Sequence, residues 1–138
     1  MSSDGAYSRD KSSKLGGSWD VETLKSLGYK KGMILRIKMV NFLTYDDCEV
    51  FPGPKLNVIL GPNGTGKSTI MHAVCLVCAG RTDTIGRSDN VQQFVKNGKG
   101  GSEEGTYIEI DMLSKGAGGD YGKTVRVKRY IQHQHIKQ

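Results

Sequence analysis

The segment LNVILGPNGTGKSTIMHAV, residues 56–74, constrains this chain more than any other. An apolar, β-branched run enters a loop of Gly61, Pro62, Asn63, Gly64, Thr65 and Gly66. Lys67, Ser68 and Thr69 follow, and a breaker-free apolar run leaves. Glycines allow torsions that a side chain forbids, so such a backbone can wrap closely around a guest. Its successive N–H groups can form an anion nest. A helix opening near Gly66 adds its positive end. The spacing of Gly61, Gly66, Lys67 and Ser68 fits G-x-x-x-x-G-K-[ST], the P-loop pattern. It predicts residues 61–69 as a cradle for the phosphates of a nucleotide. Lys67 is the expected catalytic cation at the β- and γ-phosphates, Ser68 the ligand of Mg²⁺, and Thr69 a further donor to the α-phosphate. In a chain with 19 glycines the pattern alone is moderate evidence. The strand-like run before it and the helix-like run after it make it specific.

A length of 138 residues fits one compact domain. Hydrophobic residues make up 36%, low for a chain that packs throughout, so part of the length is expected as loop or tail. The net charge of +6 suits a polyanionic partner, or serves solubility alone. Three cysteines, Cys48, Cys75 and Cys78, give no disulfide framework and point to a reducing compartment. Cys75 and Cys78 form a C-x-x-C with no second pair to complete a zinc site, which favours two buried thiols. The polar N-terminus lacks a signal peptide, and no apolar run approaches the roughly 20 residues needed to cross a bilayer. A soluble intracellular protein with no membrane partner is expected.

Residues 1–31 are Ser-, Gly- and Lys-rich and read as a disordered arm, with Trp19 and VETLKSLGY able to dock or form one helical turn. MILRIKMVNF predicts a strand with Leu35, Ile37 and Met39 on one side and Arg36 and Lys38 on the other. CEVF, 48–51, is its expected antiparallel neighbour across a TYDD turn. LNVIL, 56–60, reads as a strand covered on both faces. Residues 67–79 read as a helix buried nearly all round. VQQFVKNG is a short helix capped by Asp89 or Asn90. TYIEIDML and KTVRVKRYIQ alternate and should pair as a hairpin.

Nucleotide turnover needs more than a cradle: an acidic residue for the metal and a group that orients water. No run of apolar residues ending in Asp follows residue 69. Asp111 ends an alternating, two-faced strand and is a poor candidate. Half a site is expected, one that binds ATP without efficient hydrolysis by itself.

These residues resemble the N-terminal head segment of the structural maintenance of chromosomes (SMC) ATPases, within the ABC-type class. ILRIKMVNFLTYDD is similar to the family's opening strand and aromatic turn. PGPKLNVILGPNGTGKSTIMHAVCL resembles its strand, P-loop and first helix. GRSDNVQQFVKNG resembles the following segment in the subgroup of SMC proteins 5 and 6, and FLTYD with FPGPKLN favours the protein 5 branch. The likeness covers roughly residues 32–132. It implies an α/β fold: the N-terminal lobe of a P-loop NTPase, with mixed and antiparallel strands around a buried P-loop helix, in an incomplete domain. Residues 32–132 would be the N-terminal half of an ABC-type ATPase head, and residues 133–138 a tail or the start of a coiled coil. The resemblance further implies ATP and Mg²⁺ as cofactors, and a C-terminal half-head and a second SMC head as partners. DNA and the non-SMC subunits of a complex are further implied partners, in the nucleus on chromosomes.

The chain departs from the family pattern. It carries no heptads, hinge, signature motif or Walker B strand, so a fragment or partial gene model is expected. LSKGAGG, 113–119, has Lys where the signature LSGGQ has Gly and reads as a hairpin turn. Gln132, Gln134 and Gln138 are unsupported candidates for the family's metal-binding glutamine. Arg81, Arg87 and Lys96 are candidate nucleotide or DNA contacts. Arg36, Lys38, Arg126, Lys128 and Arg129 sit on strands expected to be neighbours, where one basic face would meet DNA phosphates. His72 follows the helix period and reads as a packed residue. The alternative readings are a nucleic-acid-binding fragment with a non-functional P-loop, and a self-contained P-loop kinase or GTPase. The last lacks its Asp strand.

Overall fold

The computed structural model describes residues 14–15, 18–81, 91–97, 105–115 and 121–131. Short strands β1 (Lys14–Leu15) and β2 (Ser18–Trp19) pair with each other, and helix α1 (Val21–Ser26) follows. Strands β3 (Ile34–Phe42), β4 (Tyr45–Val50), β5 (Thr106–Lys115) and β6 (Tyr121–Ile131) form a four-stranded sheet in the order β4-β3-β5-β6. Every pairing in it is antiparallel. Helix α2 (Lys67–Val77) and a 3₁₀ turn (Val91–Phe94) complete the described elements. None of the described helices is long and apolar enough to cross a membrane.

The sheet has two unlike faces. On one, Ile37, Met39, Ile108 and Ile110 pack against Ile70, Ala73, Leu76 and Val77 of α2. Those four helix residues recur at the three-to-four spacing of one helical stripe. The far side of α2 is open at Met71, which is 64% exposed, while His72, Val74 and Cys75 are half-buried; Cys78, just past the helix, is exposed. Burial nearly all round is therefore corrected to burial of one stripe, because the described residues offer α2 a single sheet face. Phe94 closes the end of this core, stacked on Phe42 at 5.7 Å with the His72 ring against its edge. Arg129 projects to this same face and donates to the Leu76 carbonyl at 2.6 Å. A cation at the last turn of a helix opposes the macrodipole favourably.

The second face carries its own apolar cluster, Trp19, Leu24, Tyr29, Leu35 and Leu113. Leu35 was expected beside Ile37 and Met39. The register shifts between Ile34 and Arg36, and this bulge sends Leu35 to the opposite face. The expected disordered arm gives way over residues 19–31 to the docking of Trp19 and the helical turn within VETLKSLGY that the sequence also allowed. Trp19 is 8% exposed, Leu24 1% and Tyr29 3%. Asp20 caps α1 by accepting from the Thr23 amide at 3.3 Å. These apolar side chains dock the stretch, and the Tyr29 hydroxyl donates to the Pro52 carbonyl at 2.8 Å.

Beside that cluster lie the strand cations, and each faces a carboxylate. Arg36 meets Glu109 at 2.6 Å and Glu49 at 3.0 Å, and Lys38 meets Asp47 at 3.5 Å. Arg126 meets Asp111 at 2.6 Å, and Lys128 meets Glu109 at 3.6 Å. The expected basic face is therefore charge-balanced, and Arg129 is not on it. Asp111 also accepts from the Trp19 indole at 3.2 Å.

Residues 56–60 form no strand. Leu56 is 88% exposed, Val58 67%, Ile59 44% and Leu60 87%. An extended run becomes a strand only by pairing, and no described strand lies beside it. The turn before it is held locally: the Asn57 amide donates to the carbonyls of Gly53 at 3.1 Å and Lys55 at 3.0 Å.

The ion network sets an acid limit on stability. Burial pushes the Asp111 carboxyl up, but hydrogen bonds from Arg126 and Trp19, with the charges of Arg126 and Arg36, outweigh it and hold the carboxyl below its ordinary range. Stability from a carboxyl depressed on folding is present above its unfolded pKa and lost as pH falls through the folded one. Urea unfolding should show stability declining as pH drops below about 4, the unfolded range of Asp. Asp111→Asn should flatten that decline and cost about 1.5–3 kcal/mol at neutral pH, the range for hydrogen bonds to a charged group.

Candidate phosphate-binding site

The loop from Gly61 to Gly66 lies between the exposed 56–60 run and the first turn of α2. Gly66 is the N-cap of that helix, at φ 93°, and supplies no side-chain cap. The amides of Lys67 and Ser68, in the first turn, have no intrahelical acceptor. A Ser or Asp cap would occupy such donors, and Gly66 leaves them open. The first turn also contains no acidic residue. Lys67 therefore adds a positive charge to the positive end of a helix, an arrangement that favours an anion. The Lys67 ammonium curls back over the loop and bonds to the carbonyls of Gly61 and, at 2.7 Å, Pro62. The Thr65 hydroxyl donates to the same Pro62 carbonyl at 2.7 Å, which tightens the turn. Ser68 is exposed beside it, while Thr69 is buried at 5% and its amide closes the first turn on the Gly66 carbonyl at 3.0 Å.

The hairpin between β3 and β4 abuts this loop. Its turn is Leu43–Thr44, tighter than the expected TYDD turn, and β4 begins at Tyr45. The Tyr45 hydroxyl donates to the Gly66 carbonyl at 3.2 Å. A Cβ on Gly66 would stand 2.6 Å from the Thr44 hydroxyl and 2.9 Å from the Tyr45 ring. Sequence reasoning attached no role to Tyr45. The only signal was its place in an aromatic turn, and the contact spans some twenty positions of chain.

The other candidates are scattered. The Lys96 ammonium pairs with Asp46 at 2.6 Å and reaches the Thr44 carbonyl at 3.4 Å, so it braces the hairpin turn. Arg81 is exposed just beyond α2, where its carbonyl accepts from the Cys75 thiol at 3.8 Å. Arg87, the caps Asp89 and Asn90, and Gln132, Gln134 and Gln138 lie outside the described residues. Asp111 sits on the sheet face away from α2. Strands β5 and β6 pair as far as Lys115 and Tyr121, as expected of a hairpin; the intervening residues 116–120, within LSKGAGG, lie outside the described ones. No group of three or more metal-ligating side chains occurs among the described residues.

The profile of the AAA domain family matches residues 36–138. The chain belongs to this family. This AAA domain is 51% identical over 84 residues to structural maintenance of chromosomes protein 5 of Schizosaccharomyces pombe, which covers 61% of the chain and 7% of the relative. It is 40% identical over 90 residues to the Caenorhabditis elegans protein of the same name, covering 65% of the chain and 8% of the relative. The AAA domain thus spans less than a tenth of the length of these relatives. Its fold matches a solved structure described for ATP-driven dimerization and DNA-stimulated activation of SMC ATPases. The TM-score is 0.55 at 20% identity, over 72% of this chain and 63% of that one. The architecture is that of a P-loop NTPase domain matched in part.

The Gly66 contact can be tested by stability. Gly28 shares the left-handed conformation, at φ 92°, but an added Cβ there meets nothing within 4 Å. Gly28→Ala should cost about 1–2 kcal/mol for the torsion alone. In thermal unfolding Gly66→Ala should cost more, because the Thr44–Tyr45 turn must also move.

Proposed function

We propose that this chain is the ATP-binding N-terminal half of an SMC-type ATPase head. Residues 61–69 cradle the nucleotide phosphates, Lys67 neutralises their charge, and Ser68 ligates Mg²⁺. The observation that carries this reading is the uncapped, acid-free start of α2 with Lys67 folded across the loop. Such an assembly of donors and positive charge is costly without an anion and suited to one. Similarity to SMC protein 5 in two organisms supports the family context.

Residues 32–132 form the half-head in this reading, and residues 133–138 lead toward a coiled coil. The C-terminal half-head is the partner that covers Leu56, Val58 and Leu60. Those side chains are exposed here, although their apolar character suits the interior of a sheet. That half also supplies the acidic residues that hydrolysis requires, so this chain alone binds ATP without turning it over efficiently. A second SMC head, DNA and non-SMC subunits complete the assembly, acting in chromosome organisation and DNA repair in the nucleus. The nucleic-acid-binding alternative draws less support, because the strand cations are matched by carboxylates.

Titration with a fluorescent ATP analogue tests the reading. Mg-ATP should bind more tightly than ATP in excess chelator. Lys67→Ala should weaken binding by about 10–100-fold, the worth of a charge-assisted hydrogen bond. Equal affinity in Lys67→Ala would refute the cradle.

A further inference from the structure

The hairpin turn beneath the loop suggests how the cradle keeps its shape. The geometry points to Tyr45 as a positioning residue that orients the phosphate loop, with Lys96 acting through it by fixing the hairpin turn. This rests on the reading of residues 61–69 as the phosphate cradle.

A trans peptide is planar, so its C=O and N–H point in opposite directions. The Gly66 carbonyl accepts from the Tyr45 hydroxyl at 3.2 Å and from the Thr69 amide at 3.0 Å. Holding that carbonyl turns the N–H of the same peptide, which belongs to Lys67, away from Tyr45 and out of the helix start. The Tyr45 hydroxyl also lies 3.5 Å from the Thr65 carbonyl, whose peptide carries the Gly66 N–H. One hydroxyl thus borders two successive peptides of the cradle. A phenol is protonated at neutral pH, and burial, with the neighbouring Cys48, raises that of Tyr45 above its ordinary pKa.

Tyr45 can act this way only if the hairpin turn is itself fixed, and residues 94–96 fix it. Phe42 and Val95 form an isolated bridge. The Leu43 amide donates to the Phe94 carbonyl at 2.8 Å, and the Lys96 amide to the Asn41 carbonyl at 2.8 Å. The Lys96 ammonium then spans Asp46 and the Thr44 carbonyl, on either side of Tyr45 in sequence. Lys96 therefore serves the nucleotide indirectly in this arrangement, through the turn it ties.

Two measurements separate this inference from the ATP reading: hydrogen exchange of the Thr65 and Thr69 amides, and Mg-ATP affinity. Tyr45→Phe keeps the ring against Gly66 and removes only the donor. Its thermal midpoint should stay near wild type while the Thr69 amide exchanges about fivefold faster and Mg-ATP binds about fivefold more weakly, the worth of one hydrogen bond. Lys96→Met should act in the same direction, Lys96→Arg should restore the wild-type values, and Lys96→Met should add little to Tyr45→Phe, as for residues that share one path. Wild-type exchange and affinity in Tyr45→Phe would overturn the inference. Faster exchange in a protein that never binds Mg-ATP would leave the support role standing and remove the ATP reading. Should Tyr45→Phe fail to fold, the Lys96→Met and Lys96→Arg pair decides the question by the same two measurements.

Discussion

One stripe of α2 seeks burial, and one apolar face of the sheet receives it. Ile70, Ala73, Leu76 and Val77 settle on Ile37, Met39, Ile108 and Ile110, and this contact fixes where the helix begins. The position of the phosphate loop follows, since the loop is the chain that leads into that beginning. Apolar burial is not directional, so polar contacts finish the placement. Arg129 holds the C-terminal turn through the Leu76 carbonyl, and Tyr45 meets the N-terminal turn at Gly66. The helix is thus set against the sheet by dispersion along its length and by a hydrogen bond at each end.

The opposite face obeys different physics. Its middle is a lattice of cations and carboxylates drawn from β3, β4, β5 and β6. Arg36 is 5% exposed and Asp111 1%, so each would be costly to bury alone. Together they favour one cross-strand register: Arg126 and Lys128 meet Asp111 and Glu109 directly opposite, while Arg36 and Lys38 reach diagonally to Glu109 and Asp47. The N-terminal segment adds Trp19 to this lattice and covers one end of it. Residues 19–31, polar for the most part, dock where a few large side chains find a ready surface.

What the sequence made legible was local. The loop, its lysine and hydroxyls and the alternating strands are each written within a dozen residues, and the β5–β6 hairpin joins two such strands that are neighbours in sequence. What it hid depends on distant partners. The bulge that turns Leu35 away from Ile37 is set by pairing with β5, some seventy positions on. Lys96 reads as a loose cation until Asp46 is placed beside it. The basic residues of the strands look like a polyanion surface until Glu109 and Asp111 are found between them. LNVIL has the composition of a covered strand, but composition cannot provide a neighbour, and none stands beside it among the described residues.

The bulge in β3 divides that strand into two reading frames. Before it, Ile34 faces the helix side; after it, Ile37 and Met39 do so, and Leu35 and Arg36 share the far side. Losing a single residue at the bulge would leave a regular ladder with one side chain fewer, and both faces could keep their partners. The same loss two positions later would turn every following side chain over, sending lysine into the oil and methionine into the salt. Tolerance to length change along this strand is therefore concentrated at one point, where the two frames meet.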